Sequence, residues 1–408
     1  MSTQTPLVLA IFAVVYLGMI LGGLPRLRLD RSGVALLGAI AVVGLGVLTP
    51  EQAARAIHLP TILLLFAFMV VSAQMRLGGF YAAVTRRIVA LPLSPPGLLA
   101  LVIAVAGALS AVFSNDIVCL AMAPVLVQAC VGRRLDPVPF LLALACAANI
   151  GSAATLVGNP QNMLIGEVLG LPFGAYLRDA LPPVLLGLAV VWLWLRRALG
   201  GAPPAAAPAG DEAPPFDAWQ AAKGLAVAGA LMGVFLFTDW PRDVAALVGA
   251  GVLLLSQRLH STQVMGLVDW NLLVLFMGLF VVNEALAHTG VTAQAVAWTQ
   301  AQGLALHEPL PLFGSALLLS NLVSNVPAVM LLLPLVPAGS EAGGLVLALA
   351  STLAGNLLIV GSIANIIVVD AARRQGVAID WRRHARTGVP VTLLSLALAA
   401  AWLAWRHA

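Results

Sequence analysis

Amide, hydroxyl and carboxyl side chains interrupt otherwise apolar sequence at four places. The first is Phe113-Ser114-Asn115-Asp116. The second is Asn149-Ile150-Gly151-Ser152-Ala153-Ala154-Thr155, continued by Gly158-Asn159-Pro160-Gln161-Asn162. The third is Ser320-Asn321-Leu322-Val323-Ser324-Asn325-Val326-Pro327. The fourth is Gly355-Asn356 with Gly361-Ser362-Ile363-Ala364-Asn365. Polar groups inside apolar segments are costly and mark function by default. A break in a helix frees N–H groups at one new end and C=O groups at the other. In a bilayer such backbone is tolerated only inside protein or beside a cavity. Its carbonyls, with Asn and Ser oxygens, can replace the water shell of a cation. The half-helix N-termini carry partial positive charge that suits an anion or a polar hydroxyl solute.

Asp116 is the one acid within the four breaks. A buried carboxylate resists ionisation unless a cation neutralises it, so it can exchange a proton or hold sodium. The alternative is that it caps the helix after the break. The candidate binding residues are Ser114, Asn115, Asp116, Asn149, Ser152, Thr155, Asn159, Asn162, Ser324, Asn325, Asn356, Ser362 and Asn365. A sodium site would form near Ser114, Asn115, Asp116, Ser324 and Asn325. Asn149, Ser152 and Thr155 have a competing role as hydrogen-bonding links between helices. Asn283 and Glu284 fall near a span end and read as interfacial. Cys119, one turn after Asp116, reads as packing, and Cys119, Cys130 and Cys146 have no disulfide or metal-ligand spacing.

These residues need elements to hold them, and composition says where those elements lie. Of 408 residues, 61% are hydrophobic and 9% charged, and the mean hydropathy is +1.00. Typical soluble domains have about 25% charged residues. A soluble enzyme, a nucleic-acid binder and a disordered regulator are excluded; an all-α polytopic membrane protein remains. The N-terminus lacks a basic n-region, so the first apolar run reads as a retained span.

Scaffold spans are expected at about 6–23, 33–49 and 60–75, with an interfacial helix at 80–91. A hairpin of two half-length arms follows at 97–131, then a broken span at 138–166 and a final span at 180–196. Residues 199–216 read as a Pro/Ala/Gly linker. The pattern then recurs. Scaffold spans lie within 218–287, an amphipathic stretch at 291–304, a hairpin at 310–337, a broken span at 343–372 and a final span at 388–405. Ser114-Asn115 recurs as Ser324-Asn325, 210 residues on, and Gly158 and Asn162 recur as Gly361 and Asn365, 203 residues on. Such repeats are a transporter signature. Arms shorter than the ~20 residues of a crossing are read as re-entrant, leaving five crossings in each half. Five is odd, so the halves, 1–198 and 217–408, must be inverted. With the N-terminus outside, seventeen of the 21 basic residues face inward, including Arg26, and only Arg55, Arg178, Arg242 and Arg406 face outward, as the positive-inside rule requires. The linker is then cytoplasmic. Trp192, Trp194, Trp402 and Trp405 fit an aromatic belt. His58, His260, His288, His307, His384 and His407 fall at ends or in loops, which argues against an intramembrane enzyme.

FSNDIVCLAMAPVL (113–126), NIGSAATLVGNPQN (149–162), LSNLVSNVPAVMLLLPL (319–335) and GNLLIVGSIAN (355–365) resemble the ion transporter superfamily over almost the whole chain. That group includes arsenite permeases, NhaD-type sodium/proton antiporters, silicon efflux transporters and citrate-transporter-like divalent-anion/sodium symporters. The resemblance implies scaffold and transport domains, alternating access, often by elevator movement, and commonly a homodimer. It also implies that Ser114, Asn115, Ser324 and Asn325 match hairpin tips that contact substrate and sodium in the dicarboxylate branch. That branch usually has Thr as the third tip residue; here Asp116 and Val326 stand there. The Ser-Asn-Asp tip is more like the arsenite and sodium/proton branches. No Lys or Arg lies in the breaks, which suits a neutral hydroxide better than a dianion.

The expected protein is a secondary active transporter of a bacterial-type inner membrane. It would export a small inorganic hydroxy acid or oxyanion, arsenite-like, with Asp116 as coupling acid and H+ or Na+ as coupling ion. A sodium/proton antiporter, a sodium-coupled di/tricarboxylate or sulfate symporter, and a channel are the alternatives. No cofactor and no nucleic-acid partner are expected; lipid and a small anion or hydroxy acid are.

Overall fold

A computed structural model describes residues 4–24, 27–200 and 215–407. Arg26 and most of the expected linker lie outside them. Among the described residues the protein is built of α-helices, with a single isolated bridge between Gly23 and Asp30.

In the first half these are α1 (Thr5–Leu21), α2 (Arg31–Gly44), α3 (Pro50–Ala56), α4 (Leu59–Leu77), α5 (Phe80–Ala90), α6 (Pro95–Val112), α7 (Asn115–Gly132), α8 (Pro137–Ser152), α9 (Pro160–Val168) and α10 (Phe173–Leu195). In the second they are α11 (Ala218–Phe237), α12 (Arg242–Leu254), α13 (Ser261–Met265), α14 (Trp270–His288), α15 (Val291–Ala301), α16 (Pro309–Val323), α17 (Asn325–Leu332), α18 (Glu341–Ala354), α19 (Ile363–Arg374) and α20 (Trp381–His407). Many starts are coded locally. The Asp30, Asp217, Asp269 and Ser340 side chains accept backbone N–H groups ahead of α2, α11, α14 and α18, and Thr49 with Gln52 forms a capping box on α3.

The helices α4, α6, α7, α10, α11, α14 and α20 are long and apolar enough to cross a bilayer. The first hairpin departs from the half-length reading. Ser94-Pro95-Pro96 starts α6 two residues early, and α7 begins at the tip itself, so each arm has 18 residues. In the second hairpin, α16 has 15 residues and α17 has 8 before a 3₁₀ turn. Conversely, the expected spans at α1, α2 and α12 form helices of 17, 14 and 13 residues.

Helices α1, α2, α4, α11, α12 and α14 pack together, with α2 on α14 and α4 on α12, so the two halves interlock. Small residues permit the closest approach: a Cβ on Gly278 would lie 2.7 Å from the Ala35 backbone. Polar links cross the same seam. The Tyr16 hydroxyl donates to Asn283 Oδ1 at 3.1 Å, and Gln74 Nε2 donates to Gln220 Oε1 at 2.6 Å. Helices α5 to α10 and α16 to α20 form a second group in which α6 packs on α8, α16 on α18 and α10 on α20. Here too the halves exchange partners, since α7 packs against α19 and α17 against α9.

Candidate functional site

Each long apolar run forms two helices around a non-helical bridge. The first stops at Ser152 and restarts at Pro160; the second stops at Ala354 and restarts at Ile363, with one 3₁₀ turn between. The restarts follow from sequence. Asn159 Oδ1 accepts the Asn162 N–H at 2.9 Å with Pro160 in the first helical position, and Ser362 Oγ accepts the Ala364 N–H at 3.2 Å. Gly158 is required in the first bridge, because a Cβ there would collide with the Ser152 carbonyl.

Asn149 is the hub where the breaks meet. Its Nδ2 donates to Asn356 Oδ1 at 2.8 Å and Asn365 Oδ1 at 3.1 Å, and its Oδ1 accepts from Asn115 Nδ2 at 3.1 Å and Ser362 Oγ at 2.9 Å. The first residue of α7, the body of α8 and the first turn of α19 are thereby joined. Asn365 Nδ2 also donates to the Gly355 and Leu358 carbonyls at 2.8 and 3.0 Å, groups freed by its own break. Asn162 does the same in the first break. Its Nδ2 donates to the Thr155 carbonyl at 3.0 Å and to Tyr176 Oη at 3.1 Å, and that hydroxyl donates to the Ala153 carbonyl at 2.8 Å.

A second set of bonds extends the network. Ser152 Oγ donates to the Asn149 carbonyl at 2.8 Å and accepts from Asn159 Nδ2 at 2.9 Å. Thr352 Oγ1 accepts from Asn159 and Gln161 at 3.4 and 3.1 Å and donates to Asn162 Oδ1 at 3.3 Å. Thr155 Oγ1 donates to the Ala111 carbonyl at 2.5 Å, fastening the first bridge to the hairpin arm α6. Asn149, Ser152 and Thr155 therefore are links between helices, the competing role their residue types allow.

Ser114, Asp116, Ser324 and Asn325 stand outside these bonds. Ser114 and Ser324 occupy the cap positions of α7 and α17 without a side-chain capping bond. Asp116 is the second residue of α7, so capping does not explain it. Its half-buried carboxylate has no hydrogen bond or ion pair among the described residues. Asn325 Nδ2 lies 3.1 Å from where a Cβ on Gly355 would stand, which sets the α17 tip beside the second break. The N-terminal ends of α7, α9, α17 and α19 all abut this region. Ser324 has φ 79° and ψ 160°, a glycine-type conformation that costs a serine about 1–3 kcal/mol.

Several acceptors are unfilled. The amide oxygens of Asn115, Asn321 and Asn325 are buried without a donor, as are the hydroxyls of Ser110 and Ser320. Each unmet group costs about 1–3 kcal/mol, which a bound cation or a hydroxyl donor would recover. No group of three or more His, Cys, Asp or Glu side chains able to hold a metal occurs among the described residues.

Residue patterns left some neighbours unnoticed. Thr352 sits in a run of Ala and Leu, yet it lies 203 residues after Asn149, the offset that pairs Gly158 with Gly361. Ser110 precedes Ser320 by 210. Gln161 was visible only as part of the break, and Tyr176 carried no signal. His384 corrects an expectation: it lies early in α20, but it is 2% exposed and its Nε2–H donates to the Asn356 carbonyl at 3.1 Å. Other placements are peripheral. Glu284 pairs with His288 at 3.1 Å and is half-exposed, and the indoles of Trp192, Trp194 and Trp402 donate to the carbonyls of Pro96, Arg386 and Asp179. Cys119 is buried.

A sequence profile of the citrate-transporter family, CitMHS, matches residues 7–354. An uncharacterized transporter of Mycobacterium tuberculosis is 31% identical, over 93% of this chain and 94% of its own. The silicon efflux transporter LSI3 of Oryza sativa subsp. japonica is 28% identical over 95% of each chain. Among solved structures, the Alcanivorax borkumensis YdaH transporter superposes with a TM-score of 0.62 at 15% identity, covering 99% of this chain and 98% of its own. That likeness is one of fold.

Proposed function

The chain belongs to the CitMHS citrate-transporter family, a secondary transporter of the membrane and not an enzyme, and on that premise we propose that it exports a small inorganic hydroxy acid or oxyanion, arsenite-like, in exchange for protons. Asp116 is the coupling acid. Asn115, Asn325, Ser114 and Ser324 contact the solute, and Asn149, Ser152, Thr155, Asn159, Asn162, Asn356, Ser362 and Asn365 shape the site.

The observation that carries this reading is the pairing of unfilled acceptors with an unpaired acid. The Asn115, Asn321 and Asn325 oxygens await donors, Asp116 has no partner, and the bonded network contains no Lys or Arg. A neutral hydroxide brings O–H donors and requires no fixed cation. A dianion would be repelled by Asp116 unless a cation neutralised it. The rice relative is a silicon efflux transporter, which supports export of a hydroxide solute.

In this reading α1, α2, α4, α11, α12 and α14 form a scaffold domain. The helices bearing the breaks and hairpins form the transport domain, moving by an elevator-like alternating-access step. The halves are inverted repeats, the hairpins re-enter the bilayer, the N-terminus is outside, the linker is cytoplasmic, and two copies form a homodimer. A second reading, sodium-coupled carboxylate uptake, is favoured by the four helix N-termini at the site, which suit an anion. Sodium would then sit near Ser114, Asn115, Asp116, Ser324 and Asn325.

The deciding experiment uses purified protein in liposomes, a panel of arsenite, silicate, citrate, succinate and sulfate, and sodium and proton gradients imposed separately. Proton-driven movement of the hydroxides is the expected result. Sodium-dependent uptake of citrate or succinate with no hydroxide transport would replace it with the second reading.

A further inference from the structure

The C-terminal end of α10 and the first turns of α20 form an open groove lined by Trp194, Trp381, Arg382, Arg386, Val389 and Pro390. Its build is specific. Pro390 has no N–H, so the Arg386 carbonyl loses its partner within the helix. Trp194 Nε1 donates to that carbonyl at 3.1 Å and fixes one wall. The Arg382 guanidinium lies over the Trp381 ring, 5.2 Å from its centroid. Arg382 and Arg386 are one turn apart and exposed, as are Arg196 and Arg197 at the end of α10.

Charge is left over here. Among the described residues none of these four arginines has an ion-pair partner, whereas the adjacent Arg383 is paired with Asp136 at 2.7 Å. Val389 lines the groove, and Leu393, one turn further along α20 on the same side, is an exposed apolar residue. A guanidinium fork suits a phosphate, tryptophans mark the headgroup level, and the apolar flank suits an acyl chain. Neither a free phosphate nor a neutral lipid uses both parts.

We propose that this groove binds one anionic phospholipid, with its phosphate between Arg382 and Arg386 and an acyl chain along Val389 and Leu393. The site is independent of the transported solute.

The test measures lipid binding and thermal stability of the full-length protein titrated with phosphatidylglycerol, phosphatidylcholine or inorganic phosphate. Phosphatidylglycerol should stabilise the wild type, and the Arg382→Gln/Arg386→Gln variant should bind it roughly tenfold or more weakly. In phosphatidylcholine that variant should melt with the wild type, showing that it folds. Arg382→Lys/Arg386→Lys should recover part of the loss, and Arg86→Gln/Arg87→Gln, an equal charge loss elsewhere, should bind like the wild type. An unchanged phosphatidylglycerol preference in the double Gln variant overturns the site. An equal loss in the Arg86/Arg87 variant overturns it in favour of diffuse attraction, and full stabilisation by inorganic phosphate overturns the lipid assignment.

Discussion

At the scale of single residues, the site divides into side chains that hold the breaks together and side chains that lack partners. Thr352 belongs to the first kind. Thr352→Val keeps the volume but leaves Asn159, Gln161 and Asn162 short of a partner, so the protein should lose about 2 kcal/mol, read as a lowered melting temperature in detergent. Ser324 belongs to the second. Ser324→Gly relieves its backbone strain and should raise the melting temperature, while transport falls if the hydroxyl contacts solute; a stabilised variant with unchanged transport would make Ser324 a structural residue only. The equivalence of Ser114-Asn115 with Ser324-Asn325 was readable because the same pair recurs 210 residues on inside apolar runs. His384 was not readable that way. Its bond to Asn356 joins α20 to the second break, and nothing within either segment signals that encounter.

At the scale of elements, local chemistry sets where helices stop and tertiary packing sets how far they run. The breaks stand where Asn159-Pro160 and Ser362 cap the restarting helices, and they were legible in sequence. The length of the first hairpin's arms was not read from the apolar run, because the start of α6 is coded just outside that run by Pro95 and Pro96 in its first turn. One cap is testable by pH. The Gly33 N–H, with the Ser32 hydroxyl, holds the Asp30 carboxyl below its usual range. A depressed folded-state pKa gives stability above the unfolded value that is lost as pH falls through the folded one. Asp30→Ala should therefore melt below the wild type at neutral pH, and the gap should close at acid pH below the normal aspartate range. A second contact ties the two helix groups. Arg242, at the start of α12, pairs with Glu167 of α9 at 2.9 Å and donates to the Gly166 and Leu171 carbonyls at 2.8 and 3.0 Å. Arg242→Ala leaves Glu167 mostly buried and unpaired, so a loss of about 3 kcal/mol is expected. Equal melting temperatures would show the contact to be dispensable.

At the scale of the whole molecule, sparse charge is the organising fact. A chain that is 9% charged can spend few ionic groups inside the bilayer. The bonded network accordingly uses amides, hydroxyls and the single imidazole of His384, and no Lys, Arg, Asp or Glu. The interlocking of the halves, α7 on α19 and α17 on α9, lies beyond what periodicity can show, since α7 and α17 are apolar nearly all round and mark no single packing face. Its consequence is that the first hairpin tip bonds to Asn149 through Asn115 while the second, at Asn325, lies beside Gly355 of the second break, so both tips border the same candidate site. The central claim is that Asp116 couples ion movement to solute movement at that site. The most direct measurement compares wild type and Asp116→Asn in liposomes, following arsenite movement under an imposed proton gradient. Wild-type protein should accumulate solute against its gradient, and Asp116→Asn, equally inserted and equally stable, should show no gradient-driven accumulation. Full gradient-driven accumulation by Asp116→Asn would contradict the account.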